Sequence, residues 1–176
     1  ALGFEEPIYA HLPLILGENR EKLSKRFAES SFLEYRERGY IKEAVVNFLA
    51  LLGWHPREDK EIFALHELIK EFSIKRIHKS GAMFNEEKLE WLSAQHLKGL
   101  SEEEIANRLA GFLDMKHIGA NKEFLKKVIR VERDRLKTLG GFFERAGFFF
   151  ALPEYVAELL CWQNTSALTP KDMRET

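Results

Sequence analysis

The chain has 176 residues, 45% of them hydrophobic and 31% charged, with 27 Lys and Arg against 28 Asp and Glu and a formal net charge of −1. This composition lies far from the polar, highly charged corner of disordered chains, and the length suffices for one domain or two small ones around an apolar core. No stretch of about 18 apolar residues reads as a membrane-spanning helix, and the single cysteine, Cys161, excludes an internal disulfide, a CxxC pair and a Cys-rich zinc finger. A cytoplasmic setting is the default expectation, with an organelle left open. Near-neutrality argues against a diffusely basic nucleic-acid binder but permits a local basic stripe. The six histidines show no HxxxH or HExxH spacing, so no metal site is expected.

Ile8 to Leu16 is a short apolar run compatible with a strand, and Gly17-Glu18-Asn19 then signals a turn into a polar loop through Arg26. Ser30 or Ser31 can cap a helix through Phe32, Leu33 and Tyr35 that Gly39 closes. Ala44, Val45, Phe48, Leu49 and Leu52 recur at helical spacing and stop at Gly53 and Pro56. Further helices are predicted over 65–72, 74–79, 86–98 and 102–113, the last opened by the capping box Ser101-x-x-Glu104. Asn121 can cap a long helix to about Leu136, and the aromatic tail from Phe142 to Trp162 suits two short helices. Thr169-Pro170 reads as one more helix start, after which the chain soon stops; the C-terminus is expected to be a cut through a longer protein. The predicted fold is therefore mainly α, a small mixed α/β piece followed by a helical array. Trp54, Trp91 and Trp162 are expected as core anchors, and Cys161 as a small buried hydrophobe.

Two clusters carry charge in a pattern. Arg20 to Arg26 holds four positive charges and one negative in seven residues, directly after the predicted strand, and contains Lys22-Leu23-Ser24-Lys25-Arg26. Most such runs are solvated loops. On the helix after Asn121, Lys122, Lys126, Arg130, Arg133 and Lys137 follow one another at spacings of four, four, three and four, which places them on one helical face.

The Lys-Leu-Ser-Lys-Arg pentapeptide resembles the second signature of class I aminoacyl-tRNA synthetases in its "KLSKR" variant. The flanks Pro7–Gly17, Glu34–Tyr40, Asn47–Trp54, Lys79–Ala82 and Trp91-Leu92, and later Thr138-Leu139 and Phe148–Phe150, are similar to the bacterial-type glutamyl-tRNA synthetase family. The resemblance implies a stem-contact region over 1–58, a helical linker and anticodon-binding subdomain over 59–120, and the start of a second such subdomain over 121–176. It implies an ATP-dependent ligase that joins L-glutamate to tRNA(Glu) through glutamyl-adenylate, with ATP and Mg²⁺ as cofactors and no protein-bound metal in this part. The parent is expected to be a monomer without membrane association.

By the same resemblance Lys25 is the catalytic residue, with Lys22, Ser24 and Arg26 beside it on the ATP phosphates. Lys126, Arg130, Arg133 and Arg135 fall on tRNA contacts, Arg133 matching the arginine that reads the last anticodon base and Arg135 being the second choice. The family's first signature, "HIGH", lies far upstream of this loop, and the domain bearing it is expected to be missing here. His117-Ile118-Gly119 comes after the KLSKR loop and is expected to be a helix connection. One departure stands out: Phe27-Ala28 replaces the His-Gly that commonly follows KLSKR, removing a flexible backbone position. The fragment alone is expected to be inactive. The alternative is a non-catalytic helical RNA-binding or protein-interaction module descended from such an enzyme. Glutaminyl-tRNA synthetase fits less well, since its anticodon part is a β-barrel.

Overall fold

The computed structural model of the chain describes residues 3, 5–7, 9–17, 19–22, 32–115 and 121–150. The capping serines at 30 and 31, the His-Ile-Gly segment, Cys161, Trp162 and the Thr169-Pro170 helix start lie outside the described residues. So do Leu23, Ser24, Lys25 and Arg26 of the signature loop.

Seven helices and a two-stranded sheet appear among the described residues. They are β1 (Ile15–Leu16), α1 (Phe32–Glu37), α2 (Lys42–Gly53), α3 (Leu65–Glu71), β2 (Ala82–Met83), α4 (Glu86–Lys98), α5 (Glu102–Met115), α6 (Lys122–Glu132) and α7 (Gly141–Ala146). The sheet is parallel, Ile15 facing Ala82 and Leu16 facing Met83. The fold is mainly helical, as expected. No described helix is long and apolar enough to cross a membrane.

Helix starts follow their side-chain caps. The Ser101 hydroxyl accepts from Glu104 N at 3.2 Å, and the Glu104 carboxylate accepts from Ser101 N at 2.8 Å, completing the expected box. Asn121 Oδ1 accepts from Glu123 N and Phe124 N at 2.9 and 3.2 Å. Asn85 does the same for Lys88 N at 2.8 Å, a cap the sequence analysis did not single out.

Three expected elements change. The predicted first strand contracts to Ile15–Leu16. The helix expected over 74–79 is one 3₁₀ turn, Ile74–Arg76, because Ile77 leaves it to pair antiparallel with Trp54. The long helix after Asn121 stops as an α-helix at Glu132, tightens into a 3₁₀ turn over Arg133–Arg135, and is extended at Leu136.

The buried apolar residues form three clusters among the described residues. Leu97, Ile105, Leu109, Leu113, Leu125, Ile129 and Phe142 join α4 to α7, with Ile41, just before α2, and Ala44 of α2 among them. Tyr40, Val45, Phe48, Leu89 and Leu92 pack α2 on α4, while Trp54, Phe63 and Leu68 seat the loop before α3. A buried polar node fixes this second layer. Asn47 donates to the Glu61 carbonyl at 2.9 Å and accepts from Phe63 N at 2.8 Å and from His96 Nε2 at 3.0 Å. Every polar atom of the Asn47 amide therefore has a partner, which its burial requires. Arg108 of α5 grips Glu43 of α2 through two parallel bonds of 2.8 and 2.9 Å.

Candidate functional site

The entrance to the signature loop is built by the sheet. Leu14 O accepts from Ala82 N at 2.9 Å and Leu16 O from Phe84 N at 2.8 Å, so β2 anchors the strand that delivers the loop. A tight turn follows, in which Gly17 N donates to Glu21 O and Arg20 N to Gly17 O, each at 2.9 Å. Arg20 adopts a left-handed φ of 59°, a strained choice for a non-glycine residue. The turn returns Lys22 beside Leu16 in an antiparallel bridge and leaves it exposed. Lys22 therefore stands on a pinned base while its neighbours in the motif lie outside the described residues. The sequence offered no local sign of β2, two residues long and defined only by a partner far away in the chain.

The basic face forms on α6 over Lys122, Lys126 and Arg130, but acidic groups occupy it. The first turn of α5 supplies them. Glu103 pairs with Lys122 at 2.7 Å and also with Lys126, which lies 3.0 Å from Glu123. Glu102 meets Arg130 at 3.0 Å. Hydrogen bonds from Arg130 hold the Glu102 carboxyl below its ordinary value, and those from Lys122 and Lys126 do the same for Glu103. Glu102, Glu103 and Glu104 also suit the positive end of the α5 dipole. Such exposed pairs add little to stability and exchange partners readily.

The end of the predicted stripe is redirected, because the α-helix stops at Glu132. Arg133 turns onto the C-terminal end of α4, where its Nη2 donates to the Lys98 and Leu100 carbonyls at 2.8 and 2.6 Å. These two acceptors close the α4–α5 corner. Lys137 pairs with Glu90 at 2.9 Å, and Arg135 projects into solvent with 68% of its side chain exposed. The structure thus gathers Lys126 and Arg130 on α6 and separates Arg133 and Arg135 from them.

Trp91 corrects an expectation. Trp54 is a core anchor, 2% exposed and edge-on to Phe63, whereas Trp91 is 41% exposed and faces a cleft. Aromatic character alone marked Trp91 as an anchor and could not tell a buried centre from a wet edge. Among the described residues no cluster of three or more His, Cys, Asp and Glu could hold a metal ion.

A family model described as "tRNA synthetases class I (E and Q), catalytic domain" matches residues 1–91. The chain is 44% identical to a glutamate–tRNA ligase of Sulfurihydrogenibium over 151 residues, 85% of this chain and 32% of that protein. It is 43% identical to one from Clostridium kluyveri over 159 residues, 90% of this chain and 32% of that protein. A solved glutamate–tRNA ligase from Elizabethkingia meningosepticum, in complex with its amino acid, superposes with a TM-score of 0.76 at 33% identity, over 94% of this chain and 37% of that one. The synthetase from Elizabethkingia anophelis gives 0.73 at 32% identity, over 91% and 37% of the two chains. The chain thus spans about 32% of the length of the curated relatives it matches. With the catalytic-domain model covering residues 1–91, more than half of its length, the chain belongs to the class I tRNA synthetases of the E and Q group.

Proposed function

We propose that this chain supplies the phosphate-closing loop and part of the tRNA-contact surface of an ATP-dependent glutamate–tRNA ligase. One observation carries the reading: the KLSKR sequence begins at Lys22, bridged to Leu16 at the end of a sheet-anchored strand, inside the residues matched by the catalytic-domain family model. In that reaction the glutamate carboxylate attacks the α-phosphate of ATP and expels pyrophosphate. Negative charge grows on the bridging and leaving oxygens, so an ammonium group that closes on them favours the transition state over the ground state. Lys25 takes that role. Lys22 and Arg26 add charge, and a serine at position 24 is a residue type that can order such a loop through a local hydrogen bond. Mg²⁺ accompanies the ATP phosphates.

Lys126, Arg130, Arg133 and Arg135 are the proposed tRNA contacts. Of these Arg135 is the most readily available, while Lys126 and Arg130 must exchange carboxylates for phosphates, and Arg133 must leave the end of α4. Replacing Lys25 by Ala in a full-length ligase carrying this segment should lower kcat for glutamate-dependent ATP–pyrophosphate exchange by about a hundredfold, as loss of one transition-state donor does. An unchanged kcat refutes the assignment. The 176-residue chain by itself should show no exchange, because reactant positioning supplies much of the rate.

A further inference from the structure

We infer that His55 and His78 form a two-histidine site for a divalent cation of the zinc class, independent of the ligase reading above. Sequence spacing hid the pair, because the two residues share no helix and show none of the short intervals of a helical metal motif. An antiparallel bridge between Trp54 and Ile77 brings them together. Backbone bonds lock the bridge on either side: His55 N donates to Arg76 O at 3.3 Å, and His78 N donates to Gly53 O at 2.9 Å. Pro56 adds stiffness, since a residue that precedes proline is confined to extended backbone.

The two ring centres lie 5.3 Å apart, with their planes tilted by 45°. Two imidazoles on one tetrahedral Zn²⁺, each bonded through one nitrogen at about 2.0–2.1 Å, have their centres about 5 Å apart. The pair therefore already stands at chelating separation. The tautomer of His55 is set as well. Its Nδ1 lies 3.2 Å from the Pro56 carbonyl oxygen, which can only accept, so Nδ1 carries the proton and Nε2 keeps its lone pair. A carbonyl behind the ring orients metal-binding imidazoles in this way. Among the described residues the ring nitrogens of His78 have no hydrogen-bond or ion-pair partner.

The Arg76 guanidinium, whose charge would oppose a cation, is held 4.9 Å from the Trp54 ring centre and bonded to the Glu71 carbonyl. Arg57 and Lys79 are exposed, where solvent and salt screen them. Two neutral nitrogens with no carboxylate select a borderline cation such as Zn²⁺ or Ni²⁺ over Mg²⁺ or Ca²⁺, which favour oxygen ligands. Water completes the coordination, and His78 opens onto a cavity of about 240 Å³ with room for it. A bound ion would clip the end of α2 to the segment that runs into β2, which anchors the strand before the signature loop.

Calorimetric titration of the purified chain with Zn²⁺ and with Mg²⁺ tests the site. One Zn²⁺ should bind per chain, and Mg²⁺ should not bind there. His55→Ala and His78→Ala should each weaken Zn²⁺ binding at least tenfold, since losing even an outer partner of a ligand costs about 10–100-fold. His66→Ala, at an exposed histidine that joins the pair in no three-residue cluster, should leave the affinity unchanged. Zn²⁺ should also raise the urea midpoint of wild type and of neither histidine variant of the pair, as a ligand of the folded chain does. NMR of the wild-type chain gives a readout that needs no variant: Zn²⁺ should shift the imidazole signals of His55 and His78 together. Absence of Zn²⁺ binding, unchanged affinity in either His55→Ala or His78→Ala, or shifts confined to other histidines overturns the site.

Discussion

Gly39 and Gly140 meet backbone against backbone. Leu139 N donates to Gly39 O at 2.8 Å, and a Cβ on Gly39 would fall 2.1 Å from Gly140 N. A Cβ on Gly140 would in turn lie 2.5 Å from Arg38 O. The contact joins the end of α1, within the residues matched by the catalytic-domain model, to the start of α7 in the helical half. Gly39 also has a φ of 79°, which side-chain-bearing residues adopt only at a cost.

Gly39→Ala and Gly140→Ala should therefore each destabilise the chain by more than about 2 kcal/mol, adding backbone clash to lost conformational freedom. Gly111 is the control. It lies in α5 with nothing within 4 Å of an added Cβ, so Gly111→Ala should stabilise by about 0.5–1 kcal/mol. Urea unfolding midpoints of the three variants check both signs. Equal behaviour of Gly39→Ala and Gly111→Ala would remove the role given to the contact.

Stability should also respond to His96. Burial holds its imidazole below the ordinary value of 6.5; Glu43 opposes that shift and Arg108 adds to it. The folded state thus prefers neutral His96. Its contribution is fully present above pH 6.5 and is lost as pH falls and the unfolded chain takes up the proton first. Glu43 acts in a lower window. The hydrogen bond from Arg108 depresses its carboxyl below 4.5, so its contribution stays present above that value and disappears as pH falls through the lowered one. In His96→Gln, which can still donate toward Asn47, the fall in unfolding midpoint just below pH 6.5 should flatten while the drop below 4.5 remains. An unflattened upper limb would show that other groups control it.

What the sequence made legible was local. Ser101 and Glu104 cap the helix whose start they were expected to mark, and Asn121 does the same one helix later. Lys22-Leu23-Ser24-Lys25-Arg26 together with its flanks carried the family resemblance, which the match of the catalytic-domain model over residues 1–91 bears out at the level of the family. The misses were relations between distant segments. Apolar content alone could not stop the helix expected over 74–79, since the bridge of Ile77 to Trp54 ends it. β2 exists only as the partner of β1. The face on α6 was visible as a spacing, but its carboxylate partners are contributed by the preceding helix, and nothing in the period announces them.

Arg133 illustrates the same point in energetic terms. By family resemblance it is a base reader, yet in this structure its guanidinium closes the α4–α5 corner through the Lys98 and Leu100 carbonyls. Charge-assisted bonds to partly buried acceptors carry more weight than exposed ion pairs. Arg133→Gln should cost about 1–3 kcal/mol in chemical unfolding, whereas Arg135→Gln, 68% exposed and 4.0 Å from Glu132, should be near neutral. Equal unfolding midpoints for the two variants would remove the corner-closing role of Arg133.

The last prediction concerns the carboxylates on the basic face. Glu102 and Glu103 pair with Arg130, Lys122 and Lys126, the face on which tRNA contacts are proposed. RNA binding at this face must then displace one set of anions with another, and little counterion release is left to drive it. The double variant Glu102→Gln/Glu103→Gln frees Lys122 and Arg130, leaves Lys126 with Glu123 alone, and makes the local charge more positive by two. Affinity for tRNA(Glu) should rise about tenfold at low salt, and the log–log salt dependence should steepen by about one to two. Lys126→Ala should have little effect in the wild-type background, where Glu103 and Glu123 already occupy the ammonium, and a larger one in the double variant. Measuring all four proteins at two salt concentrations separates these terms, with circular dichroism confirming that α5 survives the loss of its acidic first turn. If affinity and salt slope are the same in the double variant as in wild type, tRNA does not use this face, and Lys126 and Arg130 serve only to pin α6 to α5.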